Sequence, residues 1–190
     1  MNVALSHRTR TPRNRIWLAA PLVAFALVSL TIGTLARRSA GGYPAPPFFH
    51  LFFSDTLHLK AWLATGASLL ALFQLLTAAR VFEVFHFPPS GRFWGRVHRL
   101  SGYLAIGLTL PVAYHCIFLL GFETTSLRIV IHSCLGSALY GAVLGKVIIV
   151  RSRGFPEWAL PVAGALLFAI LVGLWLTSAL YFFSTHSIAL

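Results

Sequence analysis

Apolar residues run in five long stretches along this chain, and short polar or turn-forming stretches separate them. The five runs cover residues 16–36, 59–79, 100–121, 127–150 and 158–183. A helix needs about 20 apolar residues to cross the hydrocarbon core of a bilayer. Each run is about that long, and its apolar residues do not alternate with the period of a strand. The pattern therefore predicts an all-α polytopic transmembrane bundle of five helices, with residues 16–183 forming a single domain.

Composition and length narrow the class of protein further. Hydrophobic residues make up 57% of the chain, its mean hydropathy is +0.79, and charged residues are only 10%. Soluble domains carry about 25% charged residues. The 190 residues allow one compact bundle and no separate soluble domain. We expect spans two to five to form a four-helix core.

The two ends of the chain lie outside the predicted spans. Residues 1–15 form a basic tail, and residues 184–190 form a short tail after the fifth span. A basic tail before an apolar run is also typical of a signal peptide. Here the apolar run is longer than that of a signal peptide, and Arg37 and Arg38 follow it in place of a small-residue cleavage site. We therefore expect the first helix to be retained.

The distribution of basic residues predicts the orientation in the membrane. Eleven of the 15 Lys and Arg residues lie on the side that carries the N-terminus. The four on the other side are Arg37, Arg38, Lys60 and Arg128. Because positive residues favour the cytoplasmic side, we predict that the N-terminus is cytoplasmic and the C-terminus outside. The net charge of +11 thus comes from basic residues at the ends of the spans. These residues form no continuous stripe with aromatic residues, so the sequence does not indicate nucleic-acid binding.

The four carboxylates and two cysteines exclude other classes of protein. The carboxylates Asp55, Glu83, Glu123 and Glu157 lie outside the spans or at their edges. Proton-coupled carriers and pumps usually place a carboxylate in mid-membrane, so this pattern argues against an ion-driven transporter. Both cysteines fall within spans, which indicates no disulfide framework.

Two histidines lie inside the apolar runs. His115 is six residues before the end of span three, about 9 Å into the membrane, and His132 is five residues into span four, about 7 Å deep. Both are on the predicted outer side, on antiparallel neighbouring helices. An ionisable ring in hydrocarbon is costly, so the pair is a candidate functional site.

Haem b is the cofactor that this pattern favours. Neutral imidazoles from bundle helices hold haem iron, and the macrocycle needs apolar walls. We predict His115 and His132 as axial ligands of one haem, with a second haem not excluded. His58, at the start of span two, is the first substitute ligand, because spans two and four can stand diagonally. Arg128, one turn before His132, is suited to pair with the haem propionates.

Other interpretations of the histidines stay open. Membrane histidines also join helices through hydrogen bonds, in which case the chain is a structural subunit of a larger complex and binds no haem. A tetrahedral metal site is disfavoured, because neighbouring residues such as His115 and Cys116 point about 100° apart on a helix. A small-molecule carrier is disfavoured by the missing intramembrane carboxylates and repeats.

A polar motif opens span three on the predicted inner side. His98, Arg99 and Ser101 fall within residues 96–103 and combine an ionisable ring, a guanidinium group and a hydroxyl. Such groups can bind a propionate or donate to a quinone carbonyl. The same residues also suit a positive-inside anchor at a helix N-terminus.

This motif resembles the cytochrome b anchor of succinate dehydrogenase. The shared residues are His98–Gly102, followed by Ala113, Tyr114 and His115. In that family the first motif contributes to the quinone and propionate region, and the second supplies an axial haem ligand. The resemblance implies those roles for His98, Arg99, Ser101 and His115. In that family the two motifs stand on different helices, whereas here one helix carries both, about 26 Å apart.

A second resemblance covers residues from about 50 to 183. The patterns at 57–62, 97–102, 111–115 and 175–180 are similar to those of an uncharacterised, largely actinobacterial family of five-span membrane proteins. The resemblance implies a cytochrome-b-like bundle in a bacterial cell membrane, which the chain crosses several times. The leading hypothesis is thus a haem-b membrane electron-transfer protein that exchanges electrons with quinone or a redox partner. The chain would be an electron carrier or oxidoreductase subunit rather than a stand-alone enzyme.

Overall fold

The structure, a computed structural model, describes residues 15–39, 48–84, 92–152 and 154–185. These residues form six α-helices, with a 3-10 turn before the first and a π-helical segment after the third. In chain order, the elements are the 3-10 turn Arg15–Ala19, α1 Ala20–Ser39, α2 Thr56–Val81, α3 Arg92–Tyr114, the π segment His115–Leu120, α4 Leu127–Arg151, α5 Ala159–Thr177 and α6 Ala179–Thr185. These ranges contain no strand. The prediction of an all-α fold is confirmed for these residues, and five helical spans are long and apolar enough to cross a membrane, as expected.

The candidate spans are somewhat longer than the apolar runs. They cover Trp17–Ser39, Thr56–Val81, Arg92–Leu120, Leu127–Arg151 and Ala159–Thr185. The third begins eight residues before the expected start, because the helix continues through the basic motif with Arg96 and Arg99 exposed. Most of the two predicted tails, 1–15 and 184–190, lies outside the described residues.

The five spans form a ring. Helix α4 packs against α1 and α5, α2 packs against α5 and α3, and the π segment after α3 contacts α1. The order around the ring is therefore α1, α4, α5, α2 and α3. We call the end where α2 and α4 begin the outer end, and the opposite end the inner end, following the predicted orientation. We expected spans two to five to form the core, whereas the contacts of α1 with α4 and with the π segment make α1 part of the ring.

Small residues let α1 and α4 approach closely. Ser137, Gly141 and Gly145 recur every four residues along one face of α4. A Cβ added at Gly141 would lie 2.5 Å from the carbonyl oxygen of Phe25, and one at Gly145 would lie 3.2 Å from that of Pro21. Membrane helices associate through such small-residue faces, where backbones come into contact. This face fixes α1 against α4.

The start of α2 is held by an aspartate. Asp55 is the N-cap, and its Oδ1 accepts the backbone N–H of His58 at 2.9 Å. Its Oδ2 pairs with Nδ1 of the same histidine at 2.8 Å. The backbone N–H of His58 is the main reason why the pKa of the Asp55 carboxyl lies below its usual 3.8. The carboxylate is charged at neutral pH and orients the His58 ring.

The fifth span is interrupted near its outer end. Ser178 has φ −124° and ψ −75°, so α5 ends at Thr177 and the chain resumes as α6. The Ser178 hydroxyl donates to the carbonyl of Leu174 at 2.6 Å. Because the helix breaks here, the carbonyl of Thr177 can accept a hydrogen bond from a side chain of α4.

Candidate functional site in the bundle interior

A cavity lies within the outer half of the helix ring. It encloses about 770 Å³, a figure that includes its open mouth. All five spans contribute to its walls. Small side chains leave the space, among them Ala64 and Ala67 on α2, Ala113 on α3 and Gly136 on α4. The cavity is concave and mostly apolar, as sites for small molecules and cofactors usually are.

His132 is a polar group in the wall of this cavity. Its Nδ1 lies 3.0 Å from the hydroxyl of Thr177 on α5. That hydroxyl donates to the carbonyl of Gly173 at 2.7 Å, so it accepts a proton from Nδ1–H of the ring. The neutral ring then carries a lone pair on Nε2, which has no hydrogen-bond partner among the described residues. This is the tautomer that can bind a metal ion through Nε2.

Arg128 lies one turn before His132 and contacts the same end of α5. Its Nη1 donates to the carbonyl of Thr177 at 2.6 Å. Its guanidinium carbon lies 3.8 Å from the centre of the Tyr181 ring. A cation at the C-terminal end of a helix is favourable, because unsatisfied carbonyls accumulate there. The contact fixes the register of α4 against the break at Ser178.

His115 lies elsewhere. It does not line the central cavity but a second, outer pocket with Asp55, Lys60 and Phe48. The ring is fully buried, and both of its nitrogens are bonded: Nδ1 donates to the carbonyl of Pro111 at 2.8 Å, and Nε2 accepts the backbone N–H of Phe49 at 3.3 Å. The structure therefore does not bring His115 together with His132, and the predicted pairing of the two as iron ligands stays a prediction.

The local backbone explains the position of His115. Pro111 lies inside α3, and the helix continues from His115 to Leu120 with the wider π spacing. The N–H of Gly121 donates to the carbonyl of Cys116, five residues back, at 2.9 Å. The His115 ring meanwhile bonds the carbonyl of Pro111, one of the acceptors in this turn. Such π segments are frequent at functional positions.

Substitution of His115 should release the outer segment that follows residue 47. We expect His115→Ala to leave the Phe49 N–H without its acceptor and to remove a ring centred 4.4 Å from that of Phe49. A buried donor without a partner costs about 1–3 kcal/mol. Hydrogen exchange of the amides of residues 48–53 should accelerate. His98→Ala at the inner end is the control and should leave that exchange unchanged. Equal protection in His115→Ala and the parent would contradict the role.

His58 resembles His132 in its free nitrogen. Its Nδ1 is held by Asp55, whereas its Nε2 is buried and has no hydrogen-bond partner. A histidine whose Nδ1–H is fixed by a carboxylate is a common arrangement at metal sites. In this structure the ring packs edge-on against Phe182, at 4.9 Å between centroids, and it is not among the residues that line the central cavity.

The inner motif joins α3 to α2. Gln74 Nε2 donates to the carbonyl of His98 at 2.5 Å and to the Ser101 hydroxyl at 2.6 Å. Thr77 bonds Nδ1 of His98 at 2.8 Å. Gly102 leaves space for this contact, since a Cβ there would lie 3.1 Å from Oε1 of Gln74. Ser101 is buried, so this motif serves helix packing at least in part.

Loss of the glutamine should weaken this contact. We expect Gln74→Leu to lower the free energy of unfolding by about 1–2 kcal/mol, because two hydrogen bonds are lost and the Ser101 hydroxyl stays buried. Unfolding of the purified protein in detergent measures the change. Leu75→Ala, at a neighbouring exposed position, is the control. A change below about 0.5 kcal/mol would indicate that the bonds contribute nothing.

Arg99 and Ser101, the other two predicted residues of the inner motif, do not line the central cavity. Arg99 has an exposed side chain, and Ser101 donates to the carbonyl of Val97 at 2.7 Å. No three His, Cys, Asp or Glu side chains gather into a metal-binding group within the ranges that the structure describes. A haem, which needs only one or two protein ligands, is not subject to that limit.

Some residues of the site were not identified from the sequence. Thr177 orients His132, and the Tyr140 hydroxyl lies 3.0 Å from that of Thr109 and so links α4 to α3 beside the cavity. Gln74 and Thr77 hold the inner motif. The sequence marks these residues only as polar side chains inside apolar runs. That pattern is equally expected of residues that form hydrogen bonds between helices.

Fold and site together define a multi-pass membrane protein with an interior cavity and a histidine in its wall. Residues 17–190 match DUF6529, described as a family of unknown function, and the chain belongs to that family. No curated protein and no solved structure matches the chain.

Proposed function

We propose that this protein binds haem b in the central cavity and transfers electrons within the membrane. The observation that carries the proposal is the state of His132, whose Nδ1–H is bonded to Thr177 while Nε2 keeps a lone pair in the cavity wall. Neutral imidazole with its other nitrogen fixed is the usual protein ligand of haem iron. The resemblance of residues 98–102 and 113–115 to a cytochrome b anchor also favours haem b as the cofactor, but it implies His115 as an axial ligand, and both nitrogens of His115 are already bonded.

The residues around the cavity fit this group. The walls are mostly apolar, and small residues such as Ala67, Ala113 and Gly136 line them. Arg128 uses one N–H group for the carbonyl of Thr177, so its other donors remain for a propionate. His132 would hold the iron from α4. His58, with its free Nε2, is the proposed second ligand, although its ring does not line the central cavity in this structure.

When bound, the haem would supply a one-electron couple. The protein residues would have three tasks: His132 would hold the iron, Thr177 would fix the imidazole tautomer, and the apolar walls would exclude water. At the inner end, His98, Arg99 and Ser101 would serve a quinone or a redox partner. The proposed orientation places the N-terminus in the cytoplasm and the haem near the outer face of a bacterial cell membrane.

An absorption spectrum of the purified protein tests this function. We expect reduced-minus-oxidised bands of haem b in protein from cells supplied with a haem precursor, with about one haem per chain. Apoprotein incubated with hemin should acquire the same bands. A folded, monodisperse protein that stays colourless under both conditions would overturn the proposal.

A second function rests on a different observation. His115 and His98 both join separate segments through hydrogen bonds, as expected of a structural membrane subunit without haem. In that case Asn or Gln at positions 115 and 98 would preserve stability, and no haem bands would appear. The spectrum separates the two functions, because the structural one predicts no absorbance in the parent protein.

A further inference from the structure

Several polar groups in the wall of the central cavity donate their protons within the bundle. The hydroxyl of Ser137 donates to the carbonyl of Ser133 at 2.8 Å, and the hydroxyl of Ser133 donates to the carbonyl of Glu123 at 3.3 Å. The indole N–H of Trp175 donates to the Thr65 hydroxyl at 3.0 Å. A hydroxyl whose proton is used in this way can only accept a hydrogen bond from a ligand. These groups therefore offer no donor to a molecule in the cavity.

Tyr140 and Ser178 line the same cavity and follow the same pattern. The Thr109 hydroxyl donates to the carbonyl of Ile106 at 2.7 Å, so the proton in its 3.0 Å contact with Tyr140 comes from the tyrosine. The phenol oxygen of Tyr140 thus keeps only lone pairs. The Ser178 hydroxyl donates to the carbonyl of Leu174, and its oxygen is likewise an acceptor.

His132 adds an unused acceptor to this wall. Its Nδ1–H is bonded to Thr177, and its Nε2 keeps a lone pair without a hydrogen-bond partner among the described residues. Two lining groups depart from the pattern: Ser68 forms no hydrogen bond within the described part of the chain and can donate or accept, and the thiol of Cys116 is a weak donor. The wall thus combines an apolar surface with an excess of acceptors.

We propose that the central cavity binds an apolar molecule that carries a hydroxyl group, and that this hydroxyl donates a hydrogen bond to Nε2 of His132. The hydroxyl supplies the proton that the wall lacks, while the rest of the molecule contacts the apolar side chains. A molecule of similar shape without a donor would leave the Nε2 lone pair unsatisfied. Phenols and aliphatic alcohols share the required chemistry. The proposal does not depend on the haem function, although haem and such a molecule would compete for the same lone pair.

Binding of small fluorinated probes to the full-length protein tests the proposal. The protein is purified in detergent from cells grown without a haem precursor, and the fluorine NMR resonance of each probe reports binding. The probes are para-fluorophenol, para-fluorobenzyl alcohol and para-fluorotoluene, of which only the last has no hydroxyl. We expect a hydroxyl probe to bind about three- to tenfold more tightly than para-fluorotoluene, as one hydrogen bond predicts. Preference for one hydroxyl probe over the other identifies the phenol or the alcohol as the source.

His132→Phe keeps a ring but removes the acceptor, so it should bind the three probes with equal affinity. Tyr140→Phe is the matched control, because it removes another oxygen from the same wall, and it should retain the preference. Equal affinities in the parent, full preference in His132→Phe, or loss of preference in Tyr140→Phe alone would overturn the proposal. If His132→Phe fails to fold, the Nε2 nitrogen resonance of His132 in labelled parent decides. It should shift with a hydroxyl probe and not with para-fluorotoluene, and an unchanged resonance would overturn the proposal.

The outcome also separates this proposal from the haem function. Haem b bands in a protein that shows no preference for a hydroxyl probe would overturn this proposal alone. A folded protein that stays colourless with added hemin but prefers the hydroxyl probes would support it and overturn the haem function.

Discussion

His132→Ala should abolish the haem b bands of the purified protein, whereas His115→Ala should retain them. The reason is the different state of the two rings. Nε2 of His132 has a free lone pair in the cavity wall, but both nitrogens of His115 are already bonded, to Pro111 and Phe49. Haem content per chain should fall at least about tenfold in His132→Ala, since even loss of an outer partner weakens metal binding about 10–100-fold.

Two further variants separate iron binding from folding. Thr177→Val has a similar shape but cannot accept the Nδ1–H of His132, so it should lower haem affinity about 10–100-fold while the ligand stays in place. Added imidazole should restore bands to His132→Ala by occupying the space left by the ring. Full haem content in His132→Ala would contradict this assignment, and loss of haem in a folded His115→Ala would favour the ligand pair expected from the sequence.

Gly141→Leu should destabilise the protein by at least about 3 kcal/mol. The Cβ alone would lie 2.5 Å from the carbonyl oxygen of Phe25, and this atom belongs to the backbone of α1, which cannot rotate away. Overpacking at tight contacts typically costs about 1–3 kcal/mol and more when backbone must shift. The variant must push α1 from α4 and open the ring. Denaturant-dependent unfolding in mixed micelles measures the difference.

Gly107→Leu is the matched control. A Cβ at this position on α3 meets no atom within 4 Å, so the substitution should be neutral or slightly stabilising, since leucine favours helix more than glycine. Similar losses of stability in both variants would show that the close contact between α1 and α4 is not what the glycine provides.

The helices could be predicted because their cause is local. A bilayer requires about 20 apolar residues for each crossing, and that requirement can be read along the chain without knowledge of any contact. The apolar runs therefore gave five helices, all of which the structure contains. The ends of the helices were harder to predict. For example, α3 begins at Arg92, in a basic and partly exposed stretch, where hydropathy gives no indication of a helix.

The surroundings of each histidine could not be predicted in the same way. Depth along a helix placed His115 and His132 near the same outer end, but rotation and neighbouring segments determine what a ring touches. The segment at Phe49 bonds His115, and Thr177, 45 residues after His132, orients that ring. The break at Ser178 made the second contact possible, and no pattern in the apolar fifth run indicated it.

The sequence by itself determined an all-α membrane protein of five spans, its basic and less basic ends, and the positions of His115 and His132 along their helices. These depend on hydropathy, charge and the rise of a helix, all of which are local quantities. Tertiary structure alone decided that α1 closes the ring and that a cavity forms beside His132. Those features depend on which helix faces pack together, and small residues such as Gly141 fix that choice through shape rather than hydrophobicity.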